Sequence, residues 1–341
     1  MRIAIFGTGV IGGFMAAKLA EVGVVAIARG AQLAAIRANG ITVIEGGVAR
    51  TWRVAVTDDA RALGPQDLVI VTLKAHSLPG AVSEIASLCG PSTVLIAAQN
   101  GLPWWYFYRE GGALEGERIA TVDPAGALYA KLDPARILGC VVQIAATAPE
   151  PGIVQHQFGN RFILGEPDGT LSRRLRGAAE VLASTGLEVP TTATIRREIW
   201  QKLWGNIAFN PLSVVTGGTM DRLIGDPGTR RIAAGIMDEA ERVANRLGIR
   251  FDATRDARID GLVQLGAYKT SMLQDAEAGR PVELGALCEA VMEIAARFEI
   301  PTPTLEVVAR LARLCADRAR PPVHAENHGS SPASSGASMP S

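Results

Sequence analysis

The stretch that decides the fold is MRIAIFGTGVIGGFMAAKLAEVG, residues 1–23. An apolar run from Ile3 to Phe6 leads into Gly7-Thr8-Gly9-Val10-Ile11-Gly12, and helical periodicity follows from about Ile11 to Val22. In this Gly-x-Gly-x-x-Gly pattern the first glycine makes a tight turn, the second lets the backbone approach a pyrophosphate, and the third lets the helix pack closely on the strand. The helix N-terminus then offers free N–H groups to phosphates. The stretch therefore predicts a strand, a turn and a helix that bind a dinucleotide.

Two other interpretations of this stretch stay open. The glycine pattern alone is a weak signal, and Met1-Arg2 followed by an apolar run is also compatible with a secretory signal peptide. However, three glycines at the motif spacing interrupt the apolar run, and a second strand from Val24 to Ala28 follows at once. These features favour a dinucleotide site in an α/β domain.

The end of the second strand indicates which dinucleotide binds. An NAD site normally places a carboxylate there for the ribose 2′-hydroxyl, but the residues after Ala28 are Arg29-Gly30-Ala31-Gln32 and include no acid. Arg29 stands where a guanidinium would meet the 2′-phosphate of NADP, because its planar fork binds phosphate through two hydrogen bonds. We therefore expect NADP as the cofactor; the alternative is a solvated surface arginine.

Two further buried strands end in polar residues. The run from Asp67 to Leu73 is followed by Lys74, and the run from Thr93 to Ala98 is followed by Gln99-Asn100-Gly101. Ligands of open parallel sheets bind outside the carboxyl ends of the strands. Lys74 and Asn100 are therefore candidates for cofactor or substrate binding, and ordinary loop positions are the alternative.

Later segments of the first half predict additional strands. Ile119 to Tyr129 and Ile137 to Thr147 look like strands, and Val154 to Phe158 is expected to pair with Arg161 to Gly165 as a hairpin. His156 falls on this hairpin, and we interpret it as a structural residue.

The pattern of the chain changes at Pro190. Strands and helices alternate before it, and the periods are helical after it as far as about Arg320. This change predicts a nucleotide-binding domain over residues 1–190 and a helical domain over residues 191–320. Residues 321–341, PPVHAENHGSSPASSGASMPS, cannot bury a core and are expected to form a disordered tail.

The composition excludes several classes of protein. The 341 residues carry 34 Lys and Arg and 34 Asp and Glu, so the net charge is zero and nothing draws the chain to nucleic acid or anionic lipid. No uninterrupted apolar run reaches membrane-spanning length. The four cysteines lie far apart without a Cys-x-x-Cys pair, so we expect no metal site, no disulfide framework and a reducing cytoplasm.

The most informative stretch of the second half is EIWQKLWGNIAFNP, residues 198–211. Lys202, Asn206 and Asn210 are spaced by four residues and form one stripe on a helix. Asparagines among apolar neighbours need hydrogen-bond partners if they are buried, and Pro211 would free a carbonyl upstream. The stripe is either a functional polar face or a solvated one.

A second polar group is Ser271-Met272-Leu273-Gln274-Asp275, followed by Glu283 at the start of the next helix. Taken singly, Ser271 is compatible with a helix cap or a surface hydroxyl. Glu283 is compatible with a first-turn glutamate that the helix dipole favours.

Over nearly its whole length, up to about Arg320, the chain resembles the ketopantoate reductases (2-dehydropantoate 2-reductases). The matching segments are GTGVIG at 7–12, TLK at 72–74, QNG at 99–101, KLWGNIAFNP at 202–211 and SMLQD…E at 271–283. The last two segments, in this order behind a nucleotide-binding half, are highly specific.

The resemblance implies an α/β fold in which an N-terminal Rossmann-type dinucleotide-binding domain precedes an all-α C-terminal domain like that of 6-phosphogluconate dehydrogenase. It implies NADPH-dependent reduction of 2-dehydropantoate to (R)-pantoate, a step toward pantothenate and coenzyme A, in a cleft between the domains. The partner it implies is a small 2-oxo acid, and by analogy of fold a second copy of the chain in a homodimer.

The same resemblance implies roles for individual residues. Lys202 would protonate the ketone oxygen, and Glu283 would anchor a substrate hydroxyl or the catalytic geometry. Asn206, Asn210 and Ser271 would hold polar groups of the substrate. The implied cofactor-binding residues are Gly7, Thr8, Gly9, Val10, Ile11, Gly12, Arg29, Lys74, Asn100 and Gly101, of which Asn100 would also contact the substrate. No metal is required, because hydride chemistry belongs to the cofactor.

Two alternatives to a ketopantoate reductase stay open. One is a paralogue that reduces another 2-oxo acid with NADPH, and the other is an NADPH-binding sensor without turnover. A sensor needs only the first half of the chain, so the presence of Lys202, Asn206, Ser271 and Glu283 together argues against it.

Overall fold

The computed structural model describes residues 1–318, which form one mixed β-sheet followed by a helical half. The tail expected over residues 321–341 lies outside the described residues. The strands are β1 Ile3–Phe6, β2 Val24–Ile27, β3 Ile41–Glu45, β4 Val48–Trp52, β5 Ala55–Thr57, β6 Gln66–Val71, β7 Cys89–Ala97, β8 Ile137–Thr147, β9 Ile153–Gly165 and β10 Thr191–Thr192.

Helices flank the sheet and make up the second half. They are α1 Val10–Lys18, α2 Gly30–Asn39, α3 Leu78–Ser87, α4 Ala127–Lys131, α5 Arg173–Ala183, α6 Ile195–Thr216, α7 Met220–Gly225, α8 Pro227–Arg246, α9 Arg255–Leu262, α10 Ser271–Glu277, α11 Ala290–Arg297 and α12 Pro303–Arg318. A π-helical turn, Gly285–Glu289, precedes α11. None of the helices within residues 1–318 combines the length and the apolar character needed to cross a bilayer.

The sheet has the order β4-β3-β9-β8-β7-β6-β1-β2-β5, with β10 beside β9. Strand β1 pairs in parallel with β2 on one side and with β6 on the other. The chain therefore continues from β1 to β2 on one side of β1 and later adds β6 on its other side. This reversal of strand order opens a crevice beyond the carboxyl end of β1. Pairing is antiparallel between β3 and β4 and between β8 and β9. The predicted α/β class is confirmed, with a helical C-terminal half.

Two predicted elements of the first half are wrong. Residues 119–129 form no strand: turns and irregular backbone occupy 119–126, and α4 begins at Ala127. The expected hairpin between Val154 and Gly165 is the single strand β9, which pairs with β8 along its length except at irregularities near Ala145. His156 lies on β9, where its ring stacks on Phe14 with centroids 5.2 Å apart.

Helix α6 is the central element of the helical half and is apolar on nearly all sides. Trp200, Trp204 and Phe209 are almost completely buried, as expected for a helix surrounded by other elements. The core around α6 is continuous with the face of the sheet that includes Phe6 and Val71. A side chain on α6 can therefore reach the sheet edge at the crevice.

Pro211 lies inside α6 without ending it. Proline has no N–H, so the carbonyl of Ile207 loses its helical donor. The Cys288 thiol lies 4.0 Å from that carbonyl oxygen and donates to it. The upstream carbonyl that the sequence predicts to be freed therefore has a partner in the packed core.

Candidate active site

The glycine-rich turn is shaped by contacts that allow no side chain at two of its positions. Gly7 has φ of +98°, a conformation that disfavours other residues. A Cβ on Gly12 would lie 1.8 Å from the Gly7 carbonyl oxygen, so α1 can only start this close to β1 with glycine there. The hydroxyl of Thr72, which follows β6, donates to the same oxygen at 2.6 Å and fixes the turn.

A cavity of about 1520 Å³ lies between this sheet edge and the helical half. It brings together nearly all the residues predicted for the site. The predicted residues that line it are Gly7, Thr8, Gly9, Val10, Ile11, Arg29, Lys74, Asn100, Lys202, Asn206, Asn210, Ser271 and Glu283. Residues more than 250 positions apart in the sequence therefore face one cleft.

Gly12 and Gly101 do not line the cavity. Gly12 has the packing role described above. At Gly101, where φ is +80°, a Cβ would lie 2.3 Å from the Ala286 carbonyl oxygen, so this glycine permits close packing of the loop after β7 on the π-helical turn. The amide of Leu102 donates to the same oxygen at 2.9 Å.

The Lys202 ammonium group reaches from α6 to the sheet. Its Nζ donates to Asn100 Oδ1 at 2.5 Å and to the Val142 carbonyl oxygen of β8 at 2.6 Å. Burial disfavours the charged amine and lowers its pKa to about 8, against the opposing influence of Cys140 and Glu283. A lysine with this pKa can donate a proton near neutral pH, which an ordinary lysine does poorly.

Glu283 lines the same cleft as Lys202. One carboxylate oxygen accepts the amide N–H of Ala75 at 3.1 Å. Burial raises the pKa of Glu283, while this hydrogen bond and the charge of Lys74 oppose the shift. Lys74 itself forms an ion pair with Asp275 at 2.5 Å. The loop after β6 is thus tied to the helical half by two contacts.

The remaining predicted side chains differ in exposure. Asn206 is half-buried and Asn210 is buried, and both face the cavity one and two helical turns beyond Lys202. Ser271 is exposed at the start of α10. It is not the helix cap, because Thr270 occupies that position and accepts the Leu273 amide at 3.1 Å.

Arg29 is exposed at the carboxyl end of β2 and forms an ion pair with Glu84 of α3. Nearby, the Gln32 side-chain amide donates to the Thr8 carbonyl at 2.7 Å and accepts the Gly152 amide at 2.6 Å. The first bond joins α2 to the glycine-rich turn, and the second joins α2 to the turn before β9. The Arg29 guanidinium therefore lies beside a segment of α2 that hydrogen bonds hold in place. Arg29 and the glycine-rich turn line the same cleft.

Several contributors were not predicted. Two of them, Thr72 and Gln32, bond the glycine-rich turn. The other two pair with predicted residues: Glu84 with Arg29 and Asp275 with Lys74. Thr72 and Asp275 fall within the matched TLK and SMLQD segments, so those segments were the available signal. Glu84 has no sequence signal, because its role depends on α3 passing beside β2.

Comparison with known proteins agrees with this geometry. A family profile described as "Ketopantoate reductase PanE/ApbA" matches residues 3–169, and one described as "Ketopantoate reductase PanE/ApbA C terminal" matches residues 194–316. The chain is 47% identical over 316 residues to a 2-dehydropantoate 2-reductase of Mesorhizobium japonicum, covering 92% of this chain and 97% of the relative.

Solved structures show the same fold. A crystal structure from Ralstonia solanacearum MolK2, whose assignment as a ketopantoate reductase is provisional, is 40% identical with a TM-score of 0.89, covering 93% of this chain and 98% of that one. A 2-dehydropantoate 2-reductase from Geobacter metallireducens GS-15 is 29% identical with a TM-score of 0.80, covering 92% and 99%. D-mandelate dehydrogenase bound to NADH and anilino(oxo)acetate shares the fold. It is 20% identical with a TM-score of 0.81, covering 94% of this chain and 99% of that one.

Two profiles that together match most of the chain, and a relative 47% identical over nearly its whole length, establish the family. The chain belongs to the ketopantoate reductase family, whose members use NADPH, and it is an oxidoreductase of the 2-dehydropantoate 2-reductase type.

Proposed function

We propose that this chain reduces 2-dehydropantoate to pantoate with NADPH and that Lys202 is the general acid. The observation that carries the proposal is the position of Lys202 Nζ, 2.5 Å from Asn100 Oδ1 at the sheet edge, with a pKa lowered by burial to about 8. When bound, the nicotinamide supplies the hydride for the ketone carbon. The ketone oxygen then needs a proton, and Lys202 is a donor in the cleft that is poised to supply it.

Each partner of Lys202 has a separate task. The Asn100 amide and the Val142 carbonyl both accept from the ammonium group, so they hold it in one orientation. Positioning of this kind removes conformational freedom before the reaction, and a positioned acid is worth about 10²–10⁴-fold in rate. Glu283, whose pKa is raised by burial, is in the same cleft and is suited to accept a hydrogen bond from a substrate hydroxyl.

The residues present fit a dinucleotide. A Cβ on Gly9 would meet no atom within 4 Å, so the backbone at this position faces open space in the cavity. The N-terminus of α1 begins there and favours an anionic group. Arg29, at the end of β2 with no carboxylate on that strand end, is suited to the 2′-phosphate of NADPH. Glu84 would share the guanidinium with that phosphate.

The experiment that tests the function follows NADPH oxidation with 2-dehydropantoate and with a panel of other 2-oxo acids. The proposal expects the highest kcat/KM for 2-dehydropantoate. A higher kcat/KM for another 2-oxo acid would assign the chain to the paralogue class instead. NADPH binding without oxidation of NADPH by any member of the panel would support the sensor alternative.

Four further assignments belong to the proposal. The first is a division into domains over residues 1–190 and 191–320. Strand β10 joins the sheet and α6 begins at Ile195, which supports a boundary within a few residues of Pro190.

The second is a homodimer, since a related ketopantoate reductase from Staphylococcus aureus is described as dimeric. The third is a cytoplasmic location, supported by four free cysteines. The fourth is the absence of nucleic acid and membrane partners, supported by a net charge of zero.

A further inference from the structure

Arg258 on α9 lines the cleft, although no motif in the sequence points to it. Its Nη2 lies 3.4 Å from the Gln201 carbonyl oxygen, a long hydrogen bond. Its Nε is buried and has no hydrogen-bond partner within residues 1–318. An unpaired buried donor is costly, so such a group in a native fold needs an explanation.

Arg258 differs from the other cations of the cleft in its pairing. The other five have partners within the chain: Arg29 with Glu84, Arg161 with Glu188, Lys74 and Arg280 with Asp275, and Lys202 with Asn100 and the Val142 carbonyl. Within the described part of the chain, Arg258 forms no ion pair with a carboxylate, and burial lowers its pKa. It is therefore the cation of the cleft whose charge is left for an anion from outside.

The guanidinium lies next to the stripe that carries the general acid. Arg258 approaches α6 at Gln201, and its Nη2 is 3.8 Å from where a Cβ on Gly205 would be. Gln201 and Gly205 directly precede Lys202 and Asn206, so the two stripes are adjacent on the helix. In a 2-oxo acid the carboxylate carbon is bonded to the ketone carbon. An enzyme that protonates the ketone oxygen from Lys202 must therefore bind the carboxylate only a few ångströms away.

We propose that Arg258 binds the carboxylate of the 2-oxo acid and thereby positions its ketone oxygen for Lys202. The inference rests on the proposed function of the cleft. A guanidinium matches a carboxylate through two parallel N–H bonds and so fixes its orientation as well as its position.

The rest of the α9 face agrees with this assignment. Leu262 at the end of α9 and Leu265 in the 3-10 turn that follows it, Val263–Leu265, lie four and seven residues after Arg258 and also line the cavity. This spacing places one cation and two leucines on the same side of the helical segment. The surface suits a ligand with branched apolar carbon close to its carboxylate. In 2-dehydropantoate the ketone carbon is bonded to the carboxylate on one side and to a dimethyl-substituted carbon on the other.

The test compares 2-dehydropantoate with its lactone, which keeps the ketone but has no charged carboxylate. We expect the wild type to prefer the acid by about 30-fold or more in kcat/KM, the range seen when one partner of a buried charge pair is removed. In Arg258→Gln the ratio of kcat/KM for the acid to kcat/KM for the lactone falls toward one, chiefly because KM for the acid rises. The NADPH dissociation constant is unchanged. Guanidinium ion added to Arg258→Ala restores part of the turnover of the acid.

Arg255→Gln is the matched control, because Arg255 lies on the same helix but pairs with Asp238 and Asp256 and does not line the cavity. It keeps the wild-type preference. If Arg258→Gln does not fold, Arg258→Lys decides: it is expected to raise KM for the acid and leave KM for the lactone unchanged.

Two results would overturn the inference: a wild-type acid preference retained in Arg258→Gln, or in Arg258→Lys an unchanged KM for the acid. Failure of the proposed function looks different, because the wild type then turns over neither the acid nor the lactone. In that case the same variants are compared on the 2-oxo acid that the wild type reduces and on its methyl ester.

Discussion

Lys202 Nζ lies 2.5 Å from Asn100 Oδ1, so a helix of the second half contacts the residue that follows a strand of the first half. The two residues are 102 positions apart in sequence. This contact places the proton donor where parallel strands end and where ligands of such sheets bind. It joins the nucleotide-binding half to the half that holds the substrate.

Replacement of Lys202 by alanine is expected to lower kcat by at least about 10²-fold, because it removes the general acid. NADPH binding should persist, since the glycine-rich turn does not contact Lys202. Stopped-flow turnover and fluorescence titration of NADPH measure the two effects. Lys131→Ala is the control: Lys131 donates to the Ser83 hydroxyl and does not line the cavity, so the kcat of this variant should match the wild type. A wild-type kcat in Lys202→Ala would remove Lys202 from the mechanism.

The pH dependence follows from the same residue. The acid must be protonated to act, and burial lowers the pKa of Lys202 to about 8. The rate of reduction should therefore be steady below this pH and fall as pH rises through about 8. Oxidation of pantoate needs the unprotonated amine and should rise over the same interval. A pH profile of kcat/KM in both directions tests this, and a reduction rate still constant at pH about 10 would contradict it.

Arg29→Ala tests the choice of cofactor. The guanidinium distinguishes the two dinucleotides only if the 2′-phosphate lies beside it, so the variant should bind NADPH at least about 10-fold more weakly and NADH almost as well as the wild type. Dissociation constants for both dinucleotides provide the measurement. Equal losses for NADPH and NADH would show that Arg29 does not recognise the phosphate.

Gly12→Ala tests the packing of the glycine-rich turn. The new Cβ would lie 1.8 Å from the Gly7 carbonyl, so α1 must shift away from β1. We expect a loss of about 1–3 kcal/mol in the free energy of unfolding. Gly177→Ala is the matched control, because a Cβ there meets no atom within 4 Å in the middle of α5, and it should gain about 0.5–1 kcal/mol. Urea unfolding of both variants compares them, and an unchanged stability of Gly12→Ala would contradict the packing role.

Prediction from the sequence succeeded where the determining contacts are local. The order of strand, turn and helix around Gly7 and Gly12, and the stripe of Lys202 on α6, follow from short spacings. The expected strand at residues 119–129 was wrong because a distant side chain determines that segment: Glu293 accepts the amides of Ala120 and Thr121 at 2.9 and 2.8 Å. Those backbone groups therefore need no neighbouring strand.

The same reason explains which site residues were missed. Asp275 and Arg258 have their surroundings set by Lys74 and by α6, which are far away in the sequence. Whether a cation is paired or unpaired in the cleft depends on tertiary contacts, and no spacing within α9 reports it.

The central claim is that the cleft reduces 2-dehydropantoate with NADPH, using Lys202 as the acid. The most direct measurement is the kcat/KM of the purified full chain for 2-dehydropantoate beside other 2-oxo acids, followed by NADPH absorbance. We predict that 2-dehydropantoate has the highest value by at least about 10-fold, a difference of about 1.4 kcal/mol in transition-state binding. Turnover of 2-dehydropantoate no better than that of simple 2-oxo acids would contradict the claim.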